Sequence, residues 1–232
     1  MLFGSGLLAQ AFIPDLPHFQ EACIYAAGVS NSSCADPNEF AREQQRLEQA
    51  LEQARSLDSF IYFGTCSAAD PETCNTPYVR HKLAMEQRVR RHPRHMILRL
   101  PQVAGKTPNP HTLLNFLFAR ISRSEAFCLW QKAKRNIIDI ADVAATTRQL
   151  MQDPSARNLT LNIANSTSYP MPYIVDVMEQ VVGKRAIYEV ADRGSEYRID
   201  IERVLLALNK AGVEFDDNYL ERVIGKYYGK AS

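Results

Sequence analysis

The sequence predicts an α/β fold built on a parallel sheet, and three observations carry that prediction. Short apolar runs alternate with helix-like stretches along the chain, and that alternation packs helices on a parallel sheet. The first apolar run, Met1-Leu-Phe3, leads straight into Gly4-Ser-Gly6-Leu-Leu-Ala9, a strand–turn–helix spacing. No internal repeat or low-complexity linker interrupts the pattern.

The elements follow in order. Leu7 to Phe12 begins a helix that Pro14 breaks. Ala22 to Ala27 reads as the second strand, followed by Gly28 and the polar run Ser30 to Ser33. Pro37 to Arg55 is a helix, with Phe40, Leu47, Ala50, Leu51 and Ala54 near i, i+3, i+4 spacing. Phe60 to Phe63 is the next strand, and a helix runs from about Tyr78 to Arg91. Met96 to Leu100 is a strand ended by Pro101. Helical stretches at 113–121 and 140–152, a strand at 158–164 and a helix at 173–182 come next. A strand at 186–190 and two small helices close the chain. The division expected is a core over 1–164 and a small C-terminal α/β lobe over 165–232, closely packed on it.

Composition excludes several classes. With 27 basic and 26 acidic residues the net charge is +1, so no basic surface points to nucleic acid. The apolar runs are far below the ~20 residues that span a bilayer, so no membrane insertion is expected. No charged segment precedes the apolar start, so no signal peptide is expected. The five cysteines are irregularly spaced without C-x-x-C, which points to a reduced, cytoplasmic protein. The five histidines lack zinc-like spacing, and no metal site is expected. The basic run Arg88 to His95 reads as a solvated helix end, and Trp130 as a packing residue.

Two segments carry chemistry. A G-x-G-x-x-A turn after a strand lets backbone N–H groups approach a diphosphate, although a glycine turn alone is equally a structural turn. Tyr78 and Lys82 stand four residues apart and share a helix face. A nearby ammonium lowers a phenol from about 10, and the phenolate then moves a proton at a hydroxyl or carbonyl. Such pairs also occur by chance. Here Pro77 marks the helix start, and Thr65 and Ser67 end the strand before it.

With these residues in place, the chain resembles the extended short-chain dehydrogenase/reductase (NAD-dependent epimerase/dehydratase) family, the nucleotide-sugar enzymes of polysaccharide synthesis. The matching segments run in family order: Gly4 to Ala9, Tyr25-Ala-Ala-Gly-Val29, Phe60 to Thr65, Tyr78-Val-Arg-His-Lys82, Leu98 to Gly105, and Arg135 to Val143. The resemblance implies a Rossmann-like sheet with helices on both faces. It implies Thr65, Tyr78 and Lys82 as catalytic residues. Gly4, Gly6, Ala9, Ala26, Ala27, Gly28 and Pro101 would meet an NAD or NADP cofactor. Ser67, Gln102 and Arg135 would meet a nucleotide sugar, the guanidinium suiting its diphosphate.

The chain departs from the family at one edge. Only about a dozen residues, Ala11 to Ala22, separate the turn from the Ala-Ala strand, so the second and third strands of the complete fold are missing. The acidic residue that would hold the adenosine ribose has no strand to sit on; Asp15 and Glu21 come too early. The right-handed crossover rule then moves the first helix to the opposite sheet face. The first strand is left at an open edge, which makes a homodimer plausible. Ala69 stands where the family commonly has tyrosine. Three readings follow: an NAD(P)-linked epimerase, dehydratase or reductase acting on a nucleotide sugar; a sugar-nucleotide-binding protein or redox-free enzyme that has lost dinucleotide; or a structural or regulatory partner of a sugar-modifying complex, against which Thr65, Tyr78 and Lys82 together argue.

Overall fold

Local sequence signals fix most element boundaries in the computed structural model, which describes residues 1–229. The chain runs β1 (Leu2–Phe3), α1 (Leu7–Phe12), β2 (Ala22–Tyr25), α2 (Pro37–Gln53), β3 (Ser59–Thr65), α3 (Pro77–Val89) and β4 (His95–Leu100). It continues through β5 (Gln102–Ala104), α4 (Leu113–Ser122), β6 (Phe127–Trp130), β7 (Lys134–Arg135), β8 (Ile137–Asp139) and α5 (Ile140–Met151). It closes with β9 (Leu159–Asn162), β10 (Tyr169–Pro170), α6 (Met171–Val182), β11 (Tyr188–Ala191), α7 (Leu205–Lys210) and α8 (Tyr219–Tyr228). The two helices nearest the chemistry are capped at their starts. Asp36 accepts from the Asn38 N–H before α2, and Thr76 accepts from the Val79 N–H before α3. Each cap satisfies a donor that the first turn leaves free, and Pro37 and Pro77 occupy positions that need none.

The central sheet is parallel with order β1-β2-β3-β4-β9. Leu2 sits beside Ile24 and Phe3 beside Tyr25, so β1 pairs directly with the Ala-Ala strand and forms the sheet edge. Strand alternation sends Ile24, Ile61, Phe63, Met96 and Leu98 to one face, where α1, α5 and α7 pack. Cys23, Tyr25, Phe60, Tyr62 and Ile97 go to the other, under α2 and α3.

The position of α1 corrects the crossover expectation. Connections stepping in one direction across a parallel sheet put their helices on one face when they share a hand. The connections through α1, α2 and α3 all step the same way, yet α1 lies opposite the other two. Its crossover therefore has the opposite hand. Packing supplies the reason: α2 and α3 already cover the other face. Phe12 is fully buried against Phe63, ring centroids 5.7 Å apart, and Leu7 and Leu8 join the same cluster.

A second core gathers α4, α6 and α8 with β6 and β8. Val204, Ala207 and Leu208 pack into the first core, so segments from both sides of residue 164 share both cores. The arginines of the Arg88–His95 run stay at or near the surface, but its histidines do not. His92 and His95 are buried, His92 Nε2 lies 3.0 Å from the Ala54 carbonyl oxygen, and His95 opens β4. No helix among the described residues is long and apolar enough to cross a membrane.

Candidate active site

The first four strands end at one cleft of about 1130 Å³, the place where open α/β sheets bind ligands. Gly4, Gly6, Ala26, Ala27, Gly28, Thr65, Ser67, Tyr78, Lys82, Pro101, Gln102 and Arg135 all line it. Ala9 does not. It is wholly buried in α1, because the third position of such a turn packs the helix on the sheet.

The wall formed by β3 and α3 is tightly bonded. Thr65 Oγ1 accepts from the Ser67 N–H at 3.2 Å, and Thr65 lines the cleft beside Tyr78. Tyr78 and Lys82 are both buried. Lys82 Nζ donates to Glu43 Oε1 at 3.3 Å and lies 4.5 Å from the Tyr62 ring centroid.

Glu43, from α2, is the residue that sequence reasoning missed. Only 2% of it is exposed. Besides Lys82, it accepts from the Tyr62 hydroxyl at 2.9 Å and the Val29 N–H at 2.7 Å, and His81 Nε2 lies 3.0 Å away. Burial alone would raise its carboxyl; Lys82, His81 and the Val29 N–H outweigh that and hold it at about 2. Gly28 packs closely on this group: a Cβ there would stand 2.7 Å from Lys82 Nζ and 2.9 Å from Glu43 Oε1 and displace one of them.

The phenol differs from expectation. Burial pushes Tyr78 well above the usual tyrosine value, the Glu43 charge pushes it further, and only the Thr65 hydrogen bond opposes.

The opposite wall comes from the second core. Asn136 Nδ2 donates to the Asn165 carbonyl at 2.8 Å, and Asn136 Oδ1 accepts from the Asn165 N–H at 3.0 Å. This pair ties the 165–168 loop to Arg135, whose Nη1 donates to the Lys134 carbonyl. Tyr197 also lines the cleft near Ser67 and Arg135; burial first, then Cys66 and Asp70, pushes it up to about 12. Trp130 lines the cleft with 37% of its surface exposed, so it is not the packing residue expected.

The glycine-turn end is sparser. Gly4 has φ +123°, and a Cβ there would stand 2.4 Å from the Ala26 oxygen, so its contact with β2 requires glycine. A Cβ at Gly6 would meet nothing within 4 Å, which leaves the cleft wall open to a ligand there. Among the described residues Asp70 is the sole carboxylate lining the cleft. It already accepts from the Thr73 and Ser195 hydroxyls. Asp15 pairs with Arg148 at 2.7 Å. The residues present therefore fit the diphosphate and nicotinamide parts of a dinucleotide and offer no carboxylate to its adenosine ribose. No group of three or more potential metal ligands occurs among the described residues.

The family model described as "NAD dependent epimerase/dehydratase family" matches residues 12–164. The chain belongs to the NAD-dependent epimerase/dehydratase family. The match begins at Phe12, past the glycine turn, and takes in Thr65, Tyr78, Lys82 and Arg135. Solved epimerase-family structures share the fold. MoeE5 in complex with UDP-glucose and NAD superposes with a TM-score of 0.75 at 15% identity, over 95% of this chain and 94% of that one. UDP-glucose 4-epimerase of Thermus thermophilus, complexed with NAD, gives 0.68 at 15% identity over 99% and 85%. RMD from Pseudomonas aeruginosa, complexed with NADPH, gives 0.70 at 16% identity over 98% and 88%. No curated protein matches the chain.

Proposed function

We propose that this family member acts on a nucleotide-activated sugar in polysaccharide synthesis, moving a proton at a sugar hydroxyl or carbonyl through Tyr78. The observation that carries this reading is the meeting of Thr65, Tyr78 and Lys82 with Arg135 in a single cleft. Neighbours of the same fold bind UDP-glucose and NAD, or NADPH. Thr65 orients the reacting oxygen and Tyr78 exchanges the proton with it. Arg135 suits a diphosphate, since a guanidinium fork matches its oxygens. Ser67 and Gln102 flank the sugar, and Gly4, Gly6, Ala26, Ala27, Gly28 and Pro101 would hold NAD or NADP. That group supplies or accepts the hydride when bound. Replacing Tyr78 by Phe removes one buried hydroxyl and should cost ~10²–10⁴-fold in turnover while the fold persists by circular dichroism. Undiminished turnover in folded Tyr78→Phe would remove the mechanism.

A second reading, a sugar-nucleotide-binding protein or redox-free enzyme, is favoured by one observation. The adenosine end lacks both a neighbouring strand and a free carboxylate. Dinucleotide affinity separates the two readings.

A further inference from the structure

We propose that the glycine-turn end of the cleft selects a dinucleotide phosphorylated on its adenosine ribose, NADP(H) over NAD(H), and that Arg46 on α2 makes the selection. This deepens the dinucleotide-dependent reading given above and rests on it.

The unpaired charges at this end are positive. A side cavity of about 630 Å³ borders the cleft along the loop after β2, and its charged lining is Asp36, Glu39, Arg42, Glu43 and Arg46. All three carboxylates are engaged. Asp36 caps α2, Glu39 pairs with Arg42, and Glu43 holds Lys82 and His81. Arg46 is exposed and lines both the side cavity and the main cleft. Among the described residues it makes no ion pair and no side-chain hydrogen bond. Lys106, also exposed and lining the cleft, is likewise without a partner among the described residues.

Placement gives the two cations different targets. Gly105 lies so close to the start of α1 that a Cβ on it would stand 2.6 Å from Leu7 Cδ1. Lys106, the next residue, therefore stands by the glycine turn and suits the diphosphate that the turn's N–H groups face. Arg46 comes from the other side of the sheet. Leu47 and Ala50 of α2 pack in one cluster with Tyr25 of β2 and Phe3 of the edge strand β1. The helix thus sets Arg46 towards the open edge, where the adenosine half of a dinucleotide has to lie. In a complete sheet, a residue about 20 positions after the turn chooses between a ribose hydroxyl and a ribose phosphate. That strand is absent here, and a helix supplies the charge instead. A guanidinium fork matches phosphate oxygens and gains little from a hydroxyl. No free carboxylate lines the cleft at this end to repel the phosphate.

The test reads binding rather than turnover. Purified protein is titrated by calorimetry at one ionic strength with NADPH, NADH, adenosine 2′,5′-bisphosphate and adenosine 5′-monophosphate. Wild type should bind NADPH at least about tenfold more tightly than NADH, the difference that one charge-assisted bond makes. The bisphosphate should exceed the monophosphate by a similar factor, which places the preference at the adenosine end. Arg46→Ala should remove most of both preferences, with the loss falling on the 2′-phosphorylated ligands, and Arg46→Lys should keep part of them. Equal affinities, tighter NADH, or a preference that folded Arg46→Ala retains overturns the proposal, as does failure to bind any of the four ligands. If Arg46→Ala does not fold, the wild-type ratios and Arg46→Lys decide. UDP-glucose titrated alongside keeps the two proposals apart. NADPH selected through Arg46 without UDP-glucose binding upholds the role of Arg46 and counts against the sugar reading. UDP-glucose binding without any dinucleotide does the reverse.

Discussion

The two ends of the cleft are built on different terms. At the Tyr78 end, β3, α2 and α3 converge, and Lys82, Tyr62 and His81 meet the Glu43 carboxylate out of water. At the glycine-turn end, a two-residue strand and a six-residue helix form the edge of the sheet. The first end is a polar cluster on a rigid interior, where low dielectric makes each charge count. The second is held mainly by apolar packing of α1 on α5. The two ends of one cleft thus rest largely on different contacts, and Gly28, beside Lys82 and Glu43, is where they meet.

Breaking the weaker end should have the largest effect on stability. Phe12→Ala removes a fully buried ring and should cost about 3–5 kcal/mol, seen as a lower denaturant midpoint. Nucleotide-sugar affinity of the remaining folded protein should keep its wild-type value, because α1 lies on the other face of the sheet from α2 and α3. A changed affinity would mean the two ends are coupled.

The stronger end should show itself in acid. Glu43 titrates at about 2 in the folded chain against an ordinary 4.5. A depressed carboxyl adds stability that is complete above its unfolded value and is lost as pH falls through the folded one. Wild type should therefore lose on the order of 3 kcal/mol between these values on account of Glu43. Glu43→Gln should show a shallower loss over that window in chemical unfolding. Equal slopes for both proteins would place the acid sensitivity elsewhere.

Much of this was legible in the sequence because periodicity and caps are local. Pro37 and Pro77 mark two helix starts, and β2, β3 and β4 show as apolar runs. The pairing of β1 with β2 could be read from the dozen residues between them. The face chosen by α1 could not, because it depends on what else covers the sheet. The short strands β5, β7, β8 and β10, of two or three residues each, leave no periodic trace. Glu43 did leave a signal: it stands at the stripe spacing of Leu47, Ala50 and Ala54 on α2, where a charge ought to have been questioned. His92 and His95 were hidden by their basic neighbours, although both turn inward.

Calorimetric titration of the purified protein with NAD⁺, NADH, NADP⁺, NADPH and UDP- and dTDP-sugars tests the central claim most directly. The account predicts saturable binding of a nucleotide sugar that weakens in Arg135→Ala, with dinucleotide binding marking the redox enzyme and its absence the redox-free form. No binding of any nucleotide sugar by the folded protein would contradict it.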